Sequence, residues 1–155
     1  MMKFELVPIA FVQNPRSVIE DDNWAEVISD IVLEESIPTE ALNGIAEFSH
    51  LEIVFYMDQV KNEKAIAQCR HPRNNLNLPK LGTYAQRNKN RPNKLGLTTV
   101  ELIERKGRKL KVKYLDAING TPVLDIKPVM EEFQAQTAIK QPDWTRAIMK
   151  YYWKK

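Results

Sequence analysis

The sequence predicts a mainly all-β fold, a sandwich or barrel trimmed with short helices. Two observations carry that expectation. Short segments alternate apolar and polar residues in the period-2 manner of half-buried strands, and turn signals fall between them at Gly107 and at Asn119-Gly120. In addition, no strand-like run leads through a glycine-rich turn into a helix, which argues against a Rossmann-type nucleotide site.

Taken in order, residues 4–12 (FELVPIAFV) form the first strand-like run, with Pro8 marking an edge or a bulge. Residues 27–33 (VISDIVL) alternate with Asp30 outward, and residues 50–57 (HLEIVFYM) are dense in β-branched and aromatic side chains. Residues 97–103 and 110–115 flank ERKGRK and make the clearest hairpin. A last strand is expected at 123–126, after the Asn119-Gly120 turn. Helical signals are shorter. Residues 38–42 predict one or two turns ending at Gly44. Pro142-Asp143-Trp144 opens a C-terminal helix predicted to run through Tyr152, with aromatic and apolar residues on one face and Lys and Arg on the other. The terminal aromatics Trp144, Tyr151, Tyr152 and Trp153 are expected to dock this helix, with base stacking as the alternative.

Composition narrows the function classes. At 155 residues the chain fits one domain with a real core. No run reaches the roughly 18 apolar residues of a membrane-spanning helix. Cys69 is the only cysteine, so neither an intrachain disulfide nor a cysteine zinc cluster is expected. The start lacks an export signal, and a cytoplasmic location is expected. The net charge of +3 hides a segregation: eight Lys and Arg and no acid lie between Lys64 and Val100, while the remainder carries 15 basic against 20 acidic residues. One face is therefore expected to meet an anion.

Within that basic segment, YAQRNKNRPNKLGL (residues 84–97) either stays in water as a loop or converges on one anion. Pro92 limits the freedom of the turn that Asn93 begins, and Gly96 permits a close approach before the next strand. In CRHPR, Arg70 and Arg73 offer planar forks to a carboxylate or phosphate, and His71 offers a hydrogen bond or a proton-exchanging ring. A basic turn with a structural histidine is the plainer reading of that pentapeptide. Asp116 and Asp125 are the nearest approach to a carboxylate pair, and whether they face each other stays open. Two histidines in unrelated contexts do not build a metal site, so no metal is expected.

Several blocks in one order resemble the TsaA-like (TrmO) family. They are Phe48-Ser49-His50-Leu51, Arg70-His71-Pro72-Arg73, Gly82-Thr83-Tyr84-Ala85-Gln86-Arg87, Arg91-Pro92-Asn93-Lys94-Leu95-Gly96-Leu97, and Asp116 followed by residues 119–128 (NGTPVLDIKP). Pro142-Asp143-Trp144 and Tyr152-Trp153 are similar to the ending of its short members. The resemblance implies a compact β-barrel with short helical segments and a short C-terminal helix, forming a single domain over residues 1–155. It implies binding of S-adenosylmethionine, usually in a homodimer with the cofactor near the interface. It also implies methylation of the exocyclic nitrogen of threonylcarbamoyl-adenosine next to the anticodon of tRNA.

By position, the resemblance assigns cofactor contacts to Met57, Asp58, Arg87 and Leu97, and to the turn Asn119, Gly120, Thr121 and Pro122. Arg70, His71, Arg73, Arg91 and Asn93 are its site-lining or RNA-binding candidates, and it names no general base. The sequence departs from the family pattern at Met57-Asp58, where Phe-His is usual. It departs again at Gln86-Arg87-Asn88, where Thr-Arg-Ser is usual, and at Asn119, where an acid precedes Gly-Thr-Pro. The C-terminal extension of longer members is missing. A small-molecule methyltransferase on the same barrel and a non-catalytic module binding S-adenosylmethionine or RNA are the alternatives.

Overall fold

The computed structural model describes residues 1–154. Six strands close a barrel in the order β1-β2-β7-β6-β3-β8, every neighbouring pair antiparallel. They are β1 (Ala10–Gln13), β2 (Ile28–Leu33), β3 (His50–Tyr56), β6 (Leu95–Lys106), β7 (Lys109–Lys113) and β8 (Pro122–Pro128). Two short strands, β4 (Cys69–Arg70) and β5 (Leu81–Gly82), pair separately at the barrel's edge.

The alternation expected from the sequence puts one residue in two inside. Val12, Ile31, Leu51, Ile53, Val100, Leu110, Val112 and Val123 fill the barrel with almost no exposure. Each large aliphatic side chain removed from water there contributes about 1.5–3 kcal/mol. The β6–β7 hairpin turns at Gly107, whose φ of 59° is the left-handed conformation a tight turn requires. Its Arg105 and Arg108 guanidinium groups donate to the carbonyls of Thr39, Leu42, Glu34 and Ile37. They thereby anchor the short 3-10 helix at Thr39–Leu42, where the sequence predicts a helical turn.

Two expectations change. The first strand is confined to Ala10–Gln13: Pro8 has no N–H for a ladder, and Phe4, Leu6 and Val7 stay exposed with no strand beside them among the described residues. The C-terminal helix α1 covers only Asp143–Ile148 and gives way to a turn. Beyond it the carbonyls of Tyr151 and Tyr152 accept the N–H groups of Asn23 (3.0 Å) and Trp24 (2.9 Å). Those carbonyls point at another part of the chain, so tertiary bonds replace the last helical turn. The terminal segment docks as expected, with Trp153 edge-on to Tyr114 at 5.5 Å.

Candidate functional site

A cleft of about 1490 Å³ runs along β3 and β6, from His50 and Glu101 to Phe55 and Leu95. Its floor is the barrel itself: Phe55 and Met57 from the end of β3, and Gly96, Leu97 and Thr98 from the start of β6. The rest of the lining comes mainly from the basic loop at residues 84–93, which forms one wall, and from Trp144, Ile148, Met149, Tyr152 and Trp153, which form another.

The basic wall is held by backbone carbonyls, not by acids. Gln86 is buried and donates its amide to the carbonyls of Arg70 (3.0 Å) and Leu81 (2.9 Å), pinning the loop to the β4–β5 pair. Arg91 Nη1 donates to the Gln86 carbonyl at 3.0 Å and Arg87 Nη2 to the Leu97 carbonyl at 2.6 Å. Among the described residues neither guanidinium has a carboxylate partner within 4.0 Å, so both keep their charge uncompensated and several N–H donors free. Asn88 lines the same wall, and its Oδ1 is buried without a hydrogen-bond partner. A buried acceptor left empty costs about 1–3 kcal/mol, a cost that a ligand N–H would relieve.

Backbone strain collects here too. Arg73, Asn93 and Tyr114 have φ of 50°, 63° and 69°, and all three line the cleft. Asparagine tolerates that region, but a tyrosine there is an outlier, and such strain concentrates at functional sites.

Asp116 follows Tyr114 and Leu115 into the cleft. Thr98 Oγ1 donates to one of its carboxylate oxygens and the Tyr152 hydroxyl donates to the other. Burial above all, then the charge of Asp116 and the hydrogen bond to it, push the Tyr152 phenol well above its ordinary value of 10.0. The phenol thus remains a donor throughout the physiological range.

That shift has a consequence for stability. Below pH 10 the phenol is protonated in folded and unfolded chains alike. Above it, only the unfolded chain releases the proton, so stability falls as pH rises, by about 1.4 kcal/mol per pH unit. Tyr152→Phe is expected to lack this component. Urea titrations at successive alkaline pH values will show a shallower decline for the variant, and parallel declines would refute the assignment.

The structure sorts the residues singled out in the sequence. Met57, Asp58, Arg73, Arg87, Arg91, Asn93, Leu97 and Thr121 all border the cleft. Arg73 does so while gripping Asp22 through both terminal nitrogens, at 2.9 and 3.1 Å. Asn119, Gly120 and Pro122 lie in the turn behind it. Asn119 Oδ1 accepts the N–H of Asn14 at 3.1 Å, and the Gly120 N–H donates to Val12 at 2.7 Å, so this turn ties β8 to β1. Arg70 donates to the Lys64 carbonyl, and His71 Nδ1 donates to the Leu78 carbonyl at 2.7 Å. Neither residue borders the cleft.

Asp116 and Asp125 do not form a carboxylate pair. Asp125 sits on β8 opposite Val54, with Lys127 at 2.9 Å, whereas Asp116 is in the cleft. Sequence reasoning singled out Asp116 but not its partners, because Thr98 and Tyr152 are 18 and 36 residues away from it. Among the described residues no group of three His, Cys, Asp or Glu is placed to hold a metal ion. Among the described residues, likewise, no helix is long and apolar enough to cross a membrane.

The chain is similar to proteins of known name. It is 35% identical over 105 residues, 68% of this chain, to a human protein named tRNA (adenine(37)-N6)-methyltransferase. It is 32% identical over 130 residues to an Archaeoglobus fulgidus protein named S-adenosyl-L-methionine-binding protein, covering 82% of this chain and 90% of that one. The chain spans only part of other relatives, 23% of the human protein and 53% of one from Pyrococcus abyssi. The crystal structure of TrmO from Pseudomonas aeruginosa superposes with a TM-score of 0.74 at 23% identity, covering 93% of this chain and 62% of that one, and shares the fold. Residues 13–135 match the tRNA-methyltransferase O N-terminal domain, and the chain belongs to that family.

Proposed function

We propose that the chain is an S-adenosylmethionine-dependent methyltransferase acting on the exocyclic nitrogen of threonylcarbamoyl-adenosine next to the anticodon in tRNA. The observation that carries this reading is one cleft whose lining joins the cationic, acid-free loop at residues 84–93 to the Asp116 carboxylate held by Thr98 and Tyr152. Its volume exceeds the roughly 300–1,000 Å³ of an ordinary small-molecule pocket, leaving room for a cofactor and a nucleoside together. Relatives named as S-adenosyl-L-methionine-binding proteins and as tRNA methyltransferases support the same reading.

The residues present fit the cofactor. Asn88 Oδ1 lacks a donor that an amino group supplies, and the free N–H groups of Arg87 and Arg91 suit a carboxylate. Met57 and Leu97 offer apolar surface at the end of β3 and the start of β6, with Asp58 beside them. When bound, S-adenosylmethionine supplies an electrophilic methyl group on a sulfonium sulfur. The protein's own work is then positioning: Thr98 and Tyr152 fix Asp116, whose remaining lone pairs are open to a ligand N–H or hydroxyl. Arg73 and Asn93 extend the lining toward the polyanionic acceptor.

The same reading includes one functional unit over residues 1–155, a cytoplasmic setting and a homodimer with the cofactor near its interface. The exposed apolar side chains of Phe4, Leu6 and Val7 are compatible with burial against a second copy. Transfer of labelled methyl to unmodified and threonylcarbamoylated tRNA, followed by nucleoside mass analysis, tests the proposal. Methylated threonylcarbamoyl-adenosine is the expected product. Cofactor binding without transfer to either tRNA would overturn the substrate and favour a small-molecule acceptor or a sensor.

A further inference from the structure

The wall formed by the C-terminal segment has two faces. Trp144, Ile148, Met149 and Tyr152 turn inward and line the cleft. Arg146, Lys150, Tyr151 and Lys154 lie outside that lining, and all four are exposed. Tyr151 is 52% exposed, with the Lys150 ammonium 5.2 Å and the Lys154 ammonium 5.5 Å from its ring centre. Among the described residues Arg146, Lys150 and Lys154 have no carboxylate within 4.0 Å. An aromatic ring bracketed by two free ammonium groups combines a stacking face with partners for phosphate.

This feature is not isolated. Trp153, edge-on to both Tyr152 (4.9 Å) and Tyr114 (5.5 Å), continues the aromatic surface. Tyr114 in turn has the Lys113 ammonium 5.0 Å from its ring. In the basic loop of the cleft lining, Tyr84 is 74% exposed in the same segment as Arg87, Lys89 and Arg91. The mouth thus has two rims of the same make, each pairing aromatic faces with uncompensated cations. Glu20, Asp21, Asp58, Glu101 and Asp116 also line the cleft, Glu20 being paired with Arg16 at 2.7 Å and Asp116 taken up by Thr98 and Tyr152.

We propose that the outer face of the C-terminal segment, through Lys150, Tyr151 and Lys154, is a second rim that grips single-stranded RNA opposite the basic loop at residues 84–93. The inference rests on the tRNA reading above and deepens it. A strand laid across both rims places one nucleotide over the cleft and its neighbours on either side, the arrangement that chemistry on an unstacked base needs. An acidic polypeptide would satisfy the ammonium groups but would leave the aromatic faces unused. Backbone bonds from Asn23 and Trp24 to the Tyr151 and Tyr152 carbonyls hold the segment in place.

The test compares wild type with Lys150→Ala/Tyr151→Ala/Lys154→Ala, and with Lys61→Ala/Lys106→Ala as a control of equal charge loss. The probe is an anticodon stem-loop RNA, with affinity read by fluorescence anisotropy over a series of salt concentrations. Calorimetric binding of S-adenosylmethionine and the thermal midpoint serve as readouts of cofactor site and fold. The triple variant is expected to bind RNA about 5- to 150-fold more weakly, from one lost stacking platform. Its log–log salt slope should be shallower by about 1.4, for two phosphate contacts on a single strand. The control, the cofactor affinity and the midpoint should stay near wild type. A triple variant with wild-type affinity and slope would overturn this inference alone. A wild-type protein that binds cofactor but no RNA would overturn the tRNA reading with it.

Discussion

Gly96→Ala will destabilise the barrel by about 1–3 kcal/mol, the range for forcing extra volume into a packed site. Gly96 sits opposite Phe55 in the β3–β6 ladder. A methyl group there would fall onto Cε2 and Cζ of the Phe55 ring. Phe55 is itself buried in the core, so the ring has little room to withdraw. Space, not left-handed backbone geometry, is what requires glycine here. Shortening the neighbour should therefore restore the variant. Gly96→Ala combined with Phe55→Leu should be more stable than the sum of the single changes predicts, with a coupling of about 0.5–3 kcal/mol. Denaturant titration of the four proteins measures it, and strict additivity would refute the contact. Because Gly96 also floors the cleft, the single variant should weaken cofactor binding as well.

Asp116→Asn is expected to lower methyl transfer by about 10²-fold, the scale of a misplaced reactant. Asparagine keeps one acceptor oxygen for either Thr98 or Tyr152 and presents NH2 to the other hydroxyl, which must then turn its proton away and accept instead of donate. The variant also removes the negative charge that stands beside the Tyr152 hydroxyl in the cleft. Two readouts separate charge from geometry. The Tyr152 phenol should ionise at lower pH than in wild type yet above 10, because burial remains its largest cause. Tyr152→Phe, which keeps the carboxylate, should retain more transfer than Asp116→Asn. Equal losses in the two variants would assign the effect to the hold of the C-terminal segment and not to the charge. Undiminished transfer by Asp116→Asn would remove Asp116 from the mechanism.

Much of this architecture was legible in the residues. The strands at 27–33, 50–57, 97–103, 110–115 and 123–126 fall on β2, β3, β6, β7 and β8 within a few residues. Period-2 patterning survives folding because each strand presents one face to the barrel interior. Gly107 and Gly120 adopt positive φ, as their turns require. The β4–β5 pair escaped notice because two-residue strands carry no period. They are held by Thr83, whose hydroxyl accepts the N–H of Gln68 and donates to its carbonyl.

Local pattern also located the basic segment and the RPN turn, and the cleft wall is built from them. What pattern could not provide was the partnership of distant groups. Nothing near Asp116 in sequence announces Thr98 or Tyr152. Nothing in Asn119-Gly120-Thr121-Pro122 shows that only Thr121 reaches the cleft while Asn119 holds Asn14. Charge and alternation are properties of a residue and its immediate neighbours, so the sequence by itself determined the barrel strands, their turns and the cationic loop. The convergence of that loop, the β3 and β6 ends and the C-terminal segment on one carboxylate depends on barrel closure, and only the tertiary structure decided it.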